Sequence, residues 1–339
     1  MRKIRKFEDL LELMFEKDAS DLHLAHNNPI TFRISGQIKK LETYITGRSI
    51  FNLLNESNVL SKEALRRLNE ENATDFATEY GGARFRGVLT RSRGDYTCAI
   101  RRLNDRILTM EELGLPEFIK EELKRLGGMI LVTGPTGSGK TTTLNSIIHH
   151  LNKTEPLHIT TVEDPIEYVH RSDKAIVTQQ EVGKDIPTFE DSMKSILRRD
   201  PDVILIGEMR DLESVSTACT AAETGHLVFG TLHTNTAAST ISRITSIFPH
   251  MEQDSIRAQI ASSLRIIINQ RLLLKKGGGR VAAFEIMVVD EEMRRAIRMN
   301  ELEELNKLVR ESEDDRNVTM EEAVEGLRKL GVIEEEQTY

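Results

Sequence analysis

The nineteen residues from Ile130 to Ile148, ILVTGPTGSGKTTTLNSII, restrict the fold more than any other part of the chain. An apolar run stops at Thr133. Gly134, Gly137 and Gly139 then fall within six positions, and a helix-forming segment follows. A buried strand that enters a glycine loop and leaves it on a helix belongs to a parallel sheet with helical crossovers. Glycines let successive backbone N–H groups turn inward, and the N-terminus of the following helix adds its dipole, so this geometry cradles phosphate. Gly134, Pro135, Thr136, Gly137, Ser138, Gly139, Lys140, Thr141 and Thr142 are therefore expected to hold a nucleoside triphosphate, ATP. Lys140 reaches the β/γ-phosphates, and the Thr141 hydroxyl stands at a Mg²⁺ position.

The rhythm around this loop agrees with it. GMILVTG, HITTVED, AIVTQQE, DVILIGE and HLVFGTL are short apolar strands without alternation, separated by helical stretches. Such strands belong to a parallel sheet covered on both faces, hence an α/β core. After residue 240 the pattern is helical apart from GRVAAFEIMVV, with KKGGGR (275–280) as a hairpin turn. The first hundred residues read differently. A short amphipathic helix over 5–17 precedes a hairpin punctuated by Asn27-Asn28-Pro29 and Ser35-Gly36. A helical stretch, SIFNLLNESNVLSKEALRRLNEE, is followed by three strands. The expected organisation is a small α+β domain over 1–101, a connector over 102–118 containing Gly114 and Pro116, and an α/β domain with C-terminal helices over 119–339.

Composition excludes several classes of function. A length of 339 residues suits two domains, at about 100–200 residues each. The net charge of −8, the absence of Trp and the 5% of aromatic residues weigh against a basic, aromatic-lined nucleic-acid channel. A nucleic-acid translocase or helicase is therefore the weaker alternative, and no direct nucleic-acid partner is expected. Cys98 and Cys219 form no C-x-x-C and read as reduced thiols of a cytosolic protein. The apolar runs fall short of the ~20 residues that cross a bilayer, so no transmembrane segment is expected and membrane work would be peripheral, through a partner.

Two strands end in acids. DVILIGE ends at Glu208, and TTVEDPIEY carries Glu163 and Asp164 before a strand-stopping Pro165. The C-terminal edge of a parallel sheet is where ligands bind, so either Glu163 or Glu208 is placed to polarise water, and Glu208 also to contact Mg²⁺ through water. His226 and His233 bracket the strand in TGHLVFGTLHTN and are candidates for sensing phosphate, with core packing the alternative. Their spacing fits no zinc pattern. Arg84, Arg86, Arg91, Arg93, Arg101 and Arg102 crowd the strands of the first domain. They suit a solvated face or an arginine finger that reaches a neighbouring subunit's γ-phosphate.

Together these segments resemble the type II/IV secretion ATPases over nearly the whole length. GPTGSGKTTTL is similar to the family's Walker A loop, TVEDPIEYVH to its Asp box, LRRDPDVILIGEMRD to its Walker B segment and TGHLVFGTLHTN to its His box. The stretch from Ser20 to Gly36 resembles its PAS-like N-terminal domain, and GRVAAFEIMVVDEEMRRAIR the C-terminal region of the pilus-retraction subgroup. The resemblance implies a RecA-like core and a homohexameric, Mg²⁺-dependent ATPase. It would be cytoplasmic, at the inner face of the membrane, against an inner-membrane pilus platform protein. Domain rotation about residues near 102–116 would drive pilus retraction and twitching motility. Glu163 and Glu208 become the catalytic and water-orienting acids, His226 and His233 the phosphate-sensing pair, and Arg86 and Arg101 the arginines that approach the nucleotide. The assembly and type II secretion relatives usually carry a tetracysteine insert and an extra N-terminal domain; this sequence shows neither, which favours retraction. The AIRNLIRE signature of the retraction subgroup is matched only partly, by AIRMNELEEL (296–305). Pilus assembly or type II secretion remains the nearer alternative, and a nucleotide-sensing module with little turnover a third.

Overall fold

The computed structural model describes residues 4–34, 37–103 and 106–335. The expected Ser35-Gly36 turn lies outside the described residues, as do positions 104–105 of the expected connector. The chain divides into two compact units, Met1–Arg106 and Ile107–Tyr339.

The first unit runs α1 (Phe7–Glu16), β1 (Ala19–Leu24), β2 (Asn28–Ile34), β3 (Gln37–Ile45), α2 (Gly47–Glu56), α3 (Lys62–Glu71), β4 (Ala73–Tyr80), β5 (Ala83–Ser92) and β6 (Asp95–Arg102). Its strands form an antiparallel sheet in the order β3-β2-β1-β6-β5-β4. The period-2 alternation of β5 and β6 turns Phe85, Leu89, Cys98 and Ile100 toward Phe7, Leu10, Met14, Ile50 and Leu68 of the helices. The arginines at even positions of β5 are left on the opposite face. The helical stretch expected over 49–71 is two helices. Asn58 takes a left-handed φ of 53°, and Ser61 opens α3 by accepting a hydrogen bond from the Ala64 amide. Local side-chain bonding of this kind competes with helix continuation, and the 3.6-residue pattern does not register it.

The second unit begins with α4 (Met110–Leu113) and α5 (Phe118–Leu123), followed by β7 (Gly128–Thr133), α6 (Lys140–Thr154), β8 (His158–Glu163) and β9 (Ile176–Glu181). It continues with α7 (Phe189–Ile196), β10 (Val203–Ile206), α8 (Leu212–Glu223), β11 (Leu227–Leu232), α9 (Ala237–Ser246) and α10 (Gln253–Ser263). It closes with β12 (Leu264–Leu274), β13 (Arg280–Val288), α11 (Glu291–Arg298), α12 (Leu302–Arg310) and α13 (Met320–Lys329). Met110, Leu115 and Ile119 are buried in this unit's core, so the chain belongs to it from Ile107 onward rather than from 119. The seven-stranded sheet has the order β13-β12-β7-β11-β10-β8-β9, parallel except for β13. Alternate residues pack on opposite faces. Ile130, Val132, Phe229 and Ile268 meet Leu144 and Ile148 of α6. Leu131, Ile206, Val228 and Ile267 meet Val215 of α8, Ile241 of α9, Ile260 of α10 and Met293 of α11.

One strand departs from the sequence reading. Residues 264–274 were expected to be helical, but they form β12, parallel to β7 and antiparallel to β13. Ile266, Ile267 and Ile268 are all fully buried because helices cover both faces of the sheet. An apolar run buried on both sides has no period to read, and only its β-branched content favours a strand. The Lys275–Arg280 turn is the hairpin loop that joins β12 to β13, closed by the Lys275 amide donating to the Gly279 carbonyl at 3.1 Å.

Candidate functional site

The parallel strands β7, β8, β10 and β11 all end at one edge of the sheet, and a cavity of about 380 Å³ opens there. The glycine loop forms its floor. Gly134 has a φ of 141°, and a Cβ there would sit 2.3 Å from the Gln270 carbonyl oxygen, so no other residue fits without moving backbone. Gly137 and Gly139 also take positive φ, and Gly139 caps α6 with no side chain bonded to the first-turn amides. Those amides address the cavity, as an anion site requires.

Lys140 is buried, and its Nζ donates to the carbonyls of Gly134 (2.8 Å) and Pro135 (3.1 Å). Burial lowers its pKa, and the nearby Glu208 carboxylate opposes that shift. The same ammonium lies 3.3 Å from Nδ1 of His233. An ammonium can only donate, so Nδ1 accepts and the proton of the neutral ring sits on Nε2, 3.4 Å from Glu208 Oε1. Glu208 in turn pairs with Arg210 at 2.5 Å. Burial raises the Glu208 pKa, but Arg210 and then His233 outweigh it and leave the carboxyl below its ordinary value. The backbone aims this residue. The Gly207 amide donates to the Val162 carbonyl at 2.8 Å, and the Met209 amide donates to the Thr231 carbonyl at 3.0 Å.

Glu163 reaches the cavity from β8 and is almost fully buried, at 4% exposure. Its Oε1 accepts from the Thr161 hydroxyl at 2.7 Å and from the Gln179 side-chain amide at 3.1 Å. The Gln179 amide is oriented by neighbours that allow only one choice. The Tyr168 carbonyl accepts from its nitrogen at 2.9 Å, and the His170 amide donates to its oxygen at 2.7 Å.

The cavity therefore brings together Thr136, Gly137, Gly139, Lys140, Thr141 and Thr142 with Glu163, Glu208 and His233. It does not include His226. That ring lies at the start of β11, at the opposite edge of the sheet and about 20 Å along the strand from His233. There its Nδ1 faces the Ala221 carbonyl at 3.0 Å and the Thr224 hydroxyl at 3.1 Å. The two histidines flank β11 at its two ends, and the strand's direction sends one away from the phosphates. Arg86 and Arg101 stand directly opposite each other on β5 and β6, on the outer face of the first unit's sheet. Arg86 pairs with Asp75 at 3.5 Å and Arg101 with Asp21 at 2.7 Å. Sequence reading missed Arg210, Arg280, Thr161 and Gln179. The signal for Arg210 was its place in the sequence, two residues after the acid that follows β10. Nothing local marks Gln179, which comes from a different strand.

A family model described as type II/IV secretion system protein matches residues 2–278. The chain belongs to that family. Among curated relatives, the type IV pilus retraction ATPase PilT of Pseudomonas aeruginosa is 40% identical over 97% of this chain and 95% of its own length. A twitching motility protein of Neisseria gonorrhoeae is 42% identical over 79% of this chain and 72% of its own. Among solved structures, the pilus retraction motor PilT with bound ADP matches at a TM-score of 0.90 and 43% identity, covering 98% of this chain and 96% of that one. The Legionella pneumophila ATPase DotB matches at 0.85 and 28% identity, covering 99% and 96%. The mixed α/β fold, with its RecA-like core, is that of these secretion-family ATPases. No helix among the described residues is long and apolar enough to cross a membrane.

Proposed function

We propose that this secretion-family protein is an ATP-hydrolysing motor that powers type IV pilus retraction. It works as a homohexameric ring at the cytoplasmic base of a pilus machine, against an inner-membrane platform protein, with rotation of one domain against the other as the mechanical output. The observation that carries the reading is the convergence of a glycine cradle, Lys140, Glu163, Glu208 and His233 on one cavity, in a chain similar over its length to a retraction ATPase.

The loop amides and Lys140 bind the phosphates, and Lys140 must leave the Gly134 and Pro135 carbonyls to do so. Glu163 is the better candidate to polarise the attacking water. Its Oε1 is held by two neutral donors, whereas Glu208 pairs with the Arg210 guanidinium, which makes that carboxylate a weaker base. His233 then faces the terminal phosphate and reports its presence to Glu208. Arg86 and Arg101 act as finger arginines from the first domain, their planar charge suited to a γ-phosphoryl group. The donor set of the cavity fits Mg²⁺, because one hydroxyl and one carboxylate leave room for the waters and phosphate oxygens this ion prefers. Thr141 directly and Glu208 through water would hold the ion, which would supply neutralisation of phosphate charge.

The test is steady-state ATP turnover of purified protein with Mg²⁺. Lys140→Ala is expected to lower kcat/KM on the order of 10²–10³-fold, while Glu208→Gln retains ATP binding. Wild-type turnover in the Lys140→Ala protein would overturn the reading. In cells, deletion should leave pili in place and stop twitching; loss of pili would instead indicate assembly.

A further inference from the structure

The geometry points to Asn269 and Gln270, adjacent on β12, as positioning residues that brace the phosphate loop and the His233 loop from opposite faces of the sheet. This inference rests on the ATPase reading given above.

Successive side chains of a strand point to opposite faces. Gln270 points toward α6. Its Nε2 donates to the Ser138 carbonyl at 2.7 Å, and its Oε1 accepts from the Thr143 hydroxyl at 2.6 Å. The Ser138 carbonyl only accepts, so the amide has one possible orientation and Thr143 locks it. The Ser138 carbonyl is thereby held against β12, which fixes the peptide that leads from the loop into α6. The Gln270 backbone carbonyl also lies where any side chain at position 134 would collide with it. One residue thus touches the first glycine of the loop, the carbonyl of Ser138 and the first turn of α6.

Asn269 points to the other face. Its Nδ2 donates to the Thr133 hydroxyl and to the Thr234 carbonyl, both at 2.9 Å. Thr133 is the last residue of β7 and stands in register with Asn269. Thr234 follows His233. The amide therefore ties the exit of the strand that feeds the phosphate loop to the exit of the strand that carries the sensor. Both side chains are buried, at 0% and 1% exposure, and Asn269 Oδ1 has no hydrogen-bond partner among the described residues. A buried amide with an orphan oxygen is costlier than an aliphatic side chain of the same size. What the amide adds is its two donated bonds.

The two residues therefore separate two kinetic quantities. Gln270 shapes the cradle, which any phosphate chain uses. Asn269 sets the sensor, which only a terminal phosphate meets. The experiment compares ADP affinity by calorimetry with kcat for ATP and Mg²⁺ in wild type, Gln270→Leu, Asn269→Leu and Thr143→Val. Gln270→Leu is expected to weaken ADP about tenfold, and Asn269→Leu to keep ADP affinity while lowering kcat about tenfold. Thr143→Val changes no volume and should repeat the Gln270 effect in weaker form. If either leucine variant fails to fold, Gln270→Met and Asn269→Ala remove the same donors without adding a buried charge and carry the same two expectations. Equal loss of ADP affinity and kcat in both positions, or wild-type values in folded variants, overturns the inference. Absence of ATP turnover in wild type would overturn the ATPase reading instead, and ADP affinities would still test the Gln270 arm.

Discussion

At the scale of single residues, the site depends on buried polar groups whose orientations are forced by partners able to play only one role. Glu163 illustrates this. Thr161→Val removes one of the donors that hold this carboxylate with little change of volume, and kcat should fall about tenfold with KM nearly unchanged. Glu163→Gln should lose on the order of 10²–10⁴ in kcat, within the range of a general base. Steady-state kinetics check both. His170 shows the same logic with a pH consequence. Asn145 donates to the Thr141 carbonyl at 2.9 Å, so its oxygen faces His170 Nε2 at 2.7 Å, and that nitrogen carries the proton of a neutral ring. Burial, reinforced by His149, pushes the His170 pKa down to about 4. The folded pKa lies below the unfolded value, so the unfolded chain binds the extra proton first as pH falls. The contribution to stability is complete above about pH 6.5 and is lost toward pH 4, up to about 3 kcal/mol. Melting temperature measured from pH 7.5 to 4.5 should fall more steeply for wild type than for His170→Gln, which retains a donor to Asn145.

At the scale of elements, the strand–loop–helix of residues 128–154 is held from behind by a strand that arrives more than a hundred residues later. Gly134 is the point of contact. Gly134→Ala places a methyl group against the Gln270 carbonyl and should abolish nucleotide binding, measured by calorimetry, with the fold retained by circular dichroism. A comparable close approach occurs in the first unit, where a Cβ at Gly87 would lie 2.0 Å from the Phe76 ring. That ring packs edge-on against Phe7 at 6.3 Å. Gly87→Ala should destabilise this unit by about 1–3 kcal/mol, read from chemical denaturation. Helix breaks are also an element-scale matter. The break between α2 and α3 rests on the Ser61 cap, a feature of one hydroxyl that hydrophobic spacing does not reveal.

At the scale of the whole molecule, the proposed motor needs groups from more than one compact unit. If the fingers act across subunits, Arg86→Ala and Lys140→Ala proteins, each defective alone, should regain partial ATP turnover when mixed; additive residual rates would exclude action in trans. Much of this design was legible in the chain itself. The glycine loop, the acids that end β8 and β10, and the parallel-strand rhythm are local patterns. Each is set by backbone sterics or by solvent exclusion within a few residues, so sequence alone determined the core's class and most of the cavity's floor and walls. Tertiary structure decided the rest. The direction of β11 put His233 in the cavity and His226 at the far edge. Pairing with β7 and β13 made Leu264–Leu274 a strand rather than a helix. Residues distant in sequence, Gln179 and Gln270, became the partners that orient Glu163 and the phosphate loop. These outcomes depend on which groups share a buried, water-free space, where an unpaired dipole is costly, and that is a property of the packed chain and not of any short stretch of it.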